Sequence, residues 1–176
     1  NLTIINGTMS ANGTGRLNVN GGTIGGTGTI NPLTFIDGSG SINLLDGTID
    51  TLTLDDLTFN NDTDKVLHFD LGTGAPAADQ IIVGGDVIMG GGGGDGAAGD
   101  VFISFGKVGA TIDDGTHTLI DVAGSFTDTF GGNHAGVVTD YKLASALAFG
   151  KNFALQLNGA SLDVVVASAA PGPAAP

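Results

Sequence analysis

The sequence predicts an all-β protein on three observations. All 18 acidic residues are Asp, and Gln occurs only at Gln80 and Gln156, so the straight-chain helix formers are nearly missing. Asp, Asn, Gly, Thr, Val and Ile take their place, the residues of turns and of pleated, half-buried strands. Short apolar runs separated by glycine turns recur along the chain, and with 41% hydrophobic residues there is enough apolar surface for a core. The 32 Gly and 5 Pro of the 176 residues stay below the share at which low-complexity disorder becomes the default.

Residues 1–64 repeat one theme: apolar, polar, apolar, Asn or Asp, Gly, Thr, apolar. It occurs at 2–9 around Gly7-Thr8, at 17–24 around Gly22-Thr23 and at 42–49 around Gly47-Thr48, with Gly28-Thr29-Ile30 as a further turn-to-strand step. The spacing is loose around a period of about 20 residues, which fits the rungs of a β-solenoid. A sandwich built of short strands fits the same pattern. The stretch 18–30, strand, glycine turn and strand, is the best-defined unit, and 51–59 adds two short alternations. The chain opens directly on the strand-like Leu2-Thr3-Ile4-Ile5, which reads as a processed or partial product, with no polar cap or charged gatekeeper on that edge.

The polar cluster 60–64 marks a soft boundary, after which a C-terminal β-rich part, 65–168, continues or caps the solenoid. Residues 65–71 place Leu67, Phe69 and Leu71 on one face of a strand. Strands at 80–83 and 86–89 flank Gly84-Gly85, which reads as a tight reversal. The glycine run 90–94 and its continuation to Asp100 read as a loop, since they carry almost no side chain to pack. Strands follow at 101–105, 117–122 and 126–130. The Leu- and Ala-bearing stretch 140–151 is the one place where a helical turn fits. Residues 153–158 and 161–167 read as a hairpin over Gly159-Ala160, and 169–176 is a Pro/Ala tail of the extended, linker type.

Several pieces, in this order, are similar to the autotransporter-associated β-strand repeat proteins and autotransporter passenger domains of bacteria. They are Asn20-Gly-Gly-Thr-Ile-Gly-Gly-Thr-Gly-Thr-Ile30, 67–72 with 78–87, Gly115-Thr-His-Thr-Leu-Ile120 with Gly124-Ser-Phe126, and the terminal 153–157 with 162–166. The resemblance implies a right-handed parallel β-helix that is secreted or displayed on the cell surface, with an adhesive or scaffolding role. Relatives that end in a Pro-Glu-Pro sorting signal carry an apolar helix and basic residues after it; the tail here has only the prolines.

The charge balance excludes several classes of function. Net charge is −13, and the only cations besides histidine, Arg16, Lys65, Lys107, Lys142 and Lys151, are scattered singly, so no stripe exists to neutralise phosphates or an anionic bilayer. Neither nucleic-acid binding nor membrane insertion is expected: no apolar run is long enough for a spanning helix, and one Tyr with no Trp makes no aromatic girdle. Absence of Cys removes thiolate chemistry and disulfides.

No catalytic, cofactor-binding or metal site is expected. The nearest approach to a metal site is 90–95, which threads once onto the calcium nonapeptide, with Asp95 and Asp100 as candidate carboxylates and Ala97 where a large apolar residue belongs. Asp55-Asp56, Asp62 with Asp64, and Asp113-Asp114 read as solvated turns, and His68, His117 and His134 are too dispersed for a local ligand pair. A lyase on such a scaffold needs clustered cations and carboxylates, and a glycosidase two facing carboxylates. The glycosylation-type triplets at Asn1, Asn6, Asn12 and Asn61 arise in any chain built of Asn-Gly turns before Thr strands.

The function expected is structural: an extracellular or cell-surface protein, not an enzyme, that forms a homo-oligomer or polymer through exposed β edges into a fibre or surface layer. The alternative is an adhesin or carbohydrate-binding passenger domain whose partners are surface glycans, with Tyr141 and a few Phe as the only aromatics to present.

Overall fold

The computed structural model describes residues 2–4, 7–9, 15–60, 63–75, 77–89, 100–128 and 140–170, and strands are its only regular elements. The chain visits three sheets in fixed rotation. A first circuit is β1 (Leu2–Ile4), β2 (Thr8–Met9) and β3 (Arg16–Asn20), and a second is β4 (Thr23–Gly25), β5 (Thr29–Ile30) and β6 (Leu33–Asp37). The third is β7 (Ser41–Asn43), β8 (Thr51–Leu54) and β9 (Leu57–Phe59), and the fourth β10 (Lys65–Leu71), β11 (Gln80–Val83) and β12 (Val87–Met89). The fifth is β13 (Val101–Lys107), β14 (Gly115–Val122) and β15 (Phe126–Asp128). After β16 (Tyr141–Leu143) the rotation stops, and β17 (Leu147–Ala148), β18 (Lys151–Asn158) and β19 (Ser161–Ser168) form antiparallel pairs.

Every third strand therefore pairs with its predecessor. Sheet A is β1-β4-β7-β10-β13-β16, sheet C is β15-β12-β9-β6-β3, and sheet B runs β2-β5-β8-β11-β14 before the antiparallel β19, β18 and β17. All other pairings are parallel and in register. The sheets continue across residue 64, since β10 pairs with β7.

In-register stacking aligns like with like. On sheet A, Ile24, Ile42, Leu67 and Ile103 form one buried row. Ile30, Leu54, Val83 and Val122 do the same on sheet B, and Leu57, Val87 and Phe126 on sheet C. Rows from the three sheets belong to one hydrophobic cluster. Each such side chain contributes roughly 1.5–3 kcal/mol by leaving water. The circuits grow along the chain: Arg16 stacks under Leu33, Leu57 under Val87, and Val87 under Phe126, so the length of chain between stacked partners more than doubles.

Four expectations need correction. The unit 18–30, expected as two strands around one turn, holds three strands, β3, β4 and β5, each in a different sheet. Gly84-Gly85 is likewise no reversal but the corner between sheet B and sheet C, where Gly84 N donates to Leu54 O (2.9 Å) and Gly85 N to Asp55 O (2.7 Å) on the circuit before. The Gly-Thr pairs do not mark one position per circuit, because Gly7-Thr8 enters sheet B and Gly22-Thr23 enters sheet A. The same chemistry serves different corners, so the motif spacing is not the repeat. No helical turn forms at 140–151; Tyr141 and Leu143 turn inward along β16, pairing with β13 overrides Leu and Ala propensity, and a tight turn leads into β18. The terminal hairpin is as expected, β18 with β19, turning at Gly159 with φ +60°.

Close stacking leaves no space for a side chain at Gly25. A Cβ on Gly25 would lie 2.0 Å from the carbonyl oxygen of Asn43 on the next circuit. Gly25→Ala is expected to force β4 and β7 apart and to abolish or strongly weaken cooperative unfolding in urea. Leu67→Ala, in the middle of the sheet A row, should cost about 2–5 kcal/mol in the same measurement.

Candidate functional site

The corners are where the aspartates gather, and there the carboxylates bond backbone amides of the neighbouring circuit. At the corner entering sheet C, Asp86 N donates to Asp56 Oδ1 (2.7 Å), and Ser125 N donates to Asp86 Oδ1 (2.8 Å), so two successive aspartates each cap the amide stacked on them. A β-carbon is all that separates an Asp carboxylate from its backbone, which suits the spacing of about 4.8 Å between stacked strands. At another corner Gly74 N donates to Asp113 Oδ2 (3.0 Å).

The densest group lies between sheet A and sheet B. Asp79, with 0% exposure, accepts from Asp50 N (2.8 Å) at Oδ1 and from Asp70 N (2.5 Å) at Oδ2. Asp70, also buried, accepts at Oδ2 from Asp46 N (3.1 Å) and Gly47 N (2.8 Å). Thr48 N donates to Asp46 Oδ1 (2.9 Å), and Thr48 Oγ1 lies 2.6 Å from Asp46 Oδ1 and 2.5 Å from Asp50 Oδ2. Desolvation, with Asp70 and Asp46 as like-charged neighbours, pushes the Asp79 carboxyl up to about 7 against the two amide bonds that favour its charge. The Thr48 hydroxyl holds the Asp46 carboxyl below its ordinary range. A small cavity of about 80 Å³ opens beside the group, lined by Gly25, Asn43, Leu45, Asp46 and Asp50 among others.

The candidates singled out in the sequence are not brought together. Asp95 lies outside the described residues, as do most of the calcium-type stretch, His134, Asp62 and all four glycosylation-type asparagines. Asp100 is described: its carboxylate takes an ion pair from Lys142, and its carbonyl accepts from Lys65 N (2.9 Å). Asp113 and Asp114 are braces, the latter bonded to Lys151 Nζ (2.7 Å) and Ser168 Oγ (2.8 Å), and Lys151 holds its carboxyl below the usual value. His68 is on sheet A, where burial lowers its pKa; His117 is on sheet B with Nε2 2.9 Å from Asp113 O. Among the described residues no group of three or more His, Asp, Glu or Cys could hold a metal ion. Tyr141 is buried edge-on to Phe126 with ring centroids 6.0 Å apart, so it is not an aromatic for a glycan to stack on.

Sequence reasoning passed over Asp46, Asp50, Asp70 and Asp79. Their one legible signal was composition: a chain that uses Asp and never Glu needs carboxylates close to the backbone. Compared with family models the chain matches none, and no curated protein matches it.

Removing one link tests the corner chemistry. Asp56→Ala leaves the Asp86 amide without its carboxylate and is expected to cost about 1–3 kcal/mol in denaturant unfolding. Asp56→Asn, which keeps an acceptor oxygen, should cost less, and Asp56→Glu should not restore the wild-type value.

Proposed function

We propose that the three sheets wind as a right-handed parallel β-helix, and that the protein is a secreted or cell-surface structural element that joins copies of itself through open strand edges. The fixed rotation through the sheets supports the winding, and parallel crossovers in proteins are right-handed in nearly all cases. The observation that carries the function is the set of open strand edges at which the sheets end. In the first circuit β1, β2 and β3 are each paired on one side only among the described residues, and a mouth of about 200 Å³ beside β2 and β3 is lined by Met9, Leu17, Val19 and Ile24 together with Asn18, Asn20 and Thr23. At the other end sheets A and C stop on β16 and β15, each likewise paired in parallel on one side only among the described residues, while sheet B continues into the antiparallel β19, β18 and β17. Open parallel edges template further strands, so copies join end to end through them. The order of sequence pieces shared with autotransporter-type passengers agrees with this reading.

Electron microscopy and light scattering of the purified protein test it. Filaments or end-joined particles are expected, and Leu17→Lys, which places a charge in the mouth, should reduce them to monomers with little change in melting temperature. Monodisperse monomers of the wild type at high concentration, with and without calcium, would overturn the reading.

Phe149 favours a second reading, an adhesin or carbohydrate-binding domain. It is 48% exposed at φ 53°, beside Leu147 at 59%, on the edge of sheet B. A bulky residue in the left-handed region costs of order 1 kcal/mol or more, so the ring is presented at the expense of stability. Phe149→Gly is expected to raise the melting temperature while abolishing any saturable binding to polysaccharide.

A further inference from the structure

Asn-Gly pairs occur at Asn6, Asn12, Asn20 and Asn158, and two of them differ in a way that carries an inference independent of assembly. Such a pair is reactive because glycine has no side chain to hinder attack by its own nitrogen on the preceding carboxamide. Asn6 and Asn12 lie outside the described residues, whereas Asn20 and Asn158 are described and both are exposed. Their surroundings differ at the nucleophile. Gly21 N is engaged, donating to Asp37 O on the next circuit (3.2 Å), and Asn20 Oδ1 sits so close to Gly38 that a Cβ there would come within 2.8 Å of it. Gly159 N has no backbone acceptor among the described residues: Asn158 and Ser161 pair across the end of the hairpin, and the two-residue loop leaves the Gly159 amide outside the ladder. Within that loop Gly159 alone has a positive φ (+60°), as in a turn with glycine at its first central position, and the far side is tied by Val122 N donating to Ala160 O (2.8 Å).

We propose that Asn158 is a site of spontaneous deamidation, at which the terminal hairpin gains a carboxylate and a β-linked main chain. Gly159 N, once hydroxide has taken its proton, attacks Asn158 Cγ; the N–Cγ bond forms, the Cγ–Nδ2 bond breaks, and ammonia leaves with a proton from water. The resulting succinimide takes up one water, at Cγ to give aspartate or at the main-chain carbonyl carbon of residue 158 to give isoaspartate. Nothing is oxidised or reduced, and solvent supplies both the base and the water. Asn158 is the last residue of β18, where local opening costs least, so nitrogen and carboxamide can meet without unfolding the rest of the strand. Isoaspartate puts an extra methylene into the main chain beside a two-residue loop, and either product adds a negative charge to a molecule already at −13, across Ser161 from Asp121. The hairpin is loosened as the protein ages.

The test uses the whole chain, kept native in mildly alkaline buffer, with mass spectrometry of its peptides counting amide loss at each Asn and electron-transfer fragmentation telling isoaspartate from aspartate. With each rate taken relative to the same site in the urea-unfolded chain, Asn158 is expected to react at least about fivefold faster than Asn20, the protection that one hydrogen bond of about 1 kcal/mol gives Gly21 N. Aged wild type should melt below fresh protein, and Asn158→Ser, which has no amide to lose there, should keep more of its melting temperature. If that variant fails to fold, the two rates in the wild type still decide. A ratio below about fivefold, or an Asn158 left intact while the unfolded chain converts, overturns the proposal.

Discussion

Everything in this structure depends on one circuit of chain lying in register on the next. The parallel ladders set neighbouring backbones about 4.8 Å apart, and whatever cannot tolerate that spacing cannot occupy a corner or a sheet. Inward positions answer with aliphatic rows such as Ile24, Ile42, Leu67 and Ile103. Corner positions answer with glycine where the backbones touch, as at Gly25, and with Asp where an amide would otherwise be left without a partner, as at Asp56 and Asp86. A buried amide without an acceptor costs as much as a lost hydrogen bond, so the carboxylates are part of the frame and not an addition to it.

The growth of the circuits shows how far that frame can be stretched. Residues added between stacked partners leave the strand registers intact, because pairing is decided inside each sheet and the corners absorb the excess chain. At the far end the rotation gives way to the hairpin β18–β19, and Phe105 of β13 packs on Phe153 with ring centroids 5.0 Å apart. Sheet B thus ends on the parallel β2 at one side and the antiparallel β17 at the other, while sheets A and C end on parallel strands at both sides.

The corner carboxylates also set a limit. Where Asp56 and Asp86 act singly, each bonds one amide of the next circuit. Where the corner between sheets A and B is longer, carboxylates of two circuits crowd together, and burial combines with like charge.

The all-β class, the strands at 65–71 and 80–83 and the terminal hairpin were legible in the sequence, because alternation of apolar residues and glycine turns are local properties. Two things were not. Gly84-Gly85 has the same local chemistry whether it folds a strand back on its neighbour or carries it to another sheet, and only the pairing of β11 with β8 and of β12 with β9 decides. Asp46, Asp50, Asp70 and Asp79 look like ordinary turn residues along the chain, and circuit stacking alone brings them to one corner, where Asp70 and Asp79 are buried. By itself the sequence determined that the chain would be built of short strands and Asp-bearing turns, since propensity and spacing act over a few residues. The tertiary structure decided which strands meet and which carboxylates share a corner, because stacking joins residues a full circuit apart and the circuit length varies.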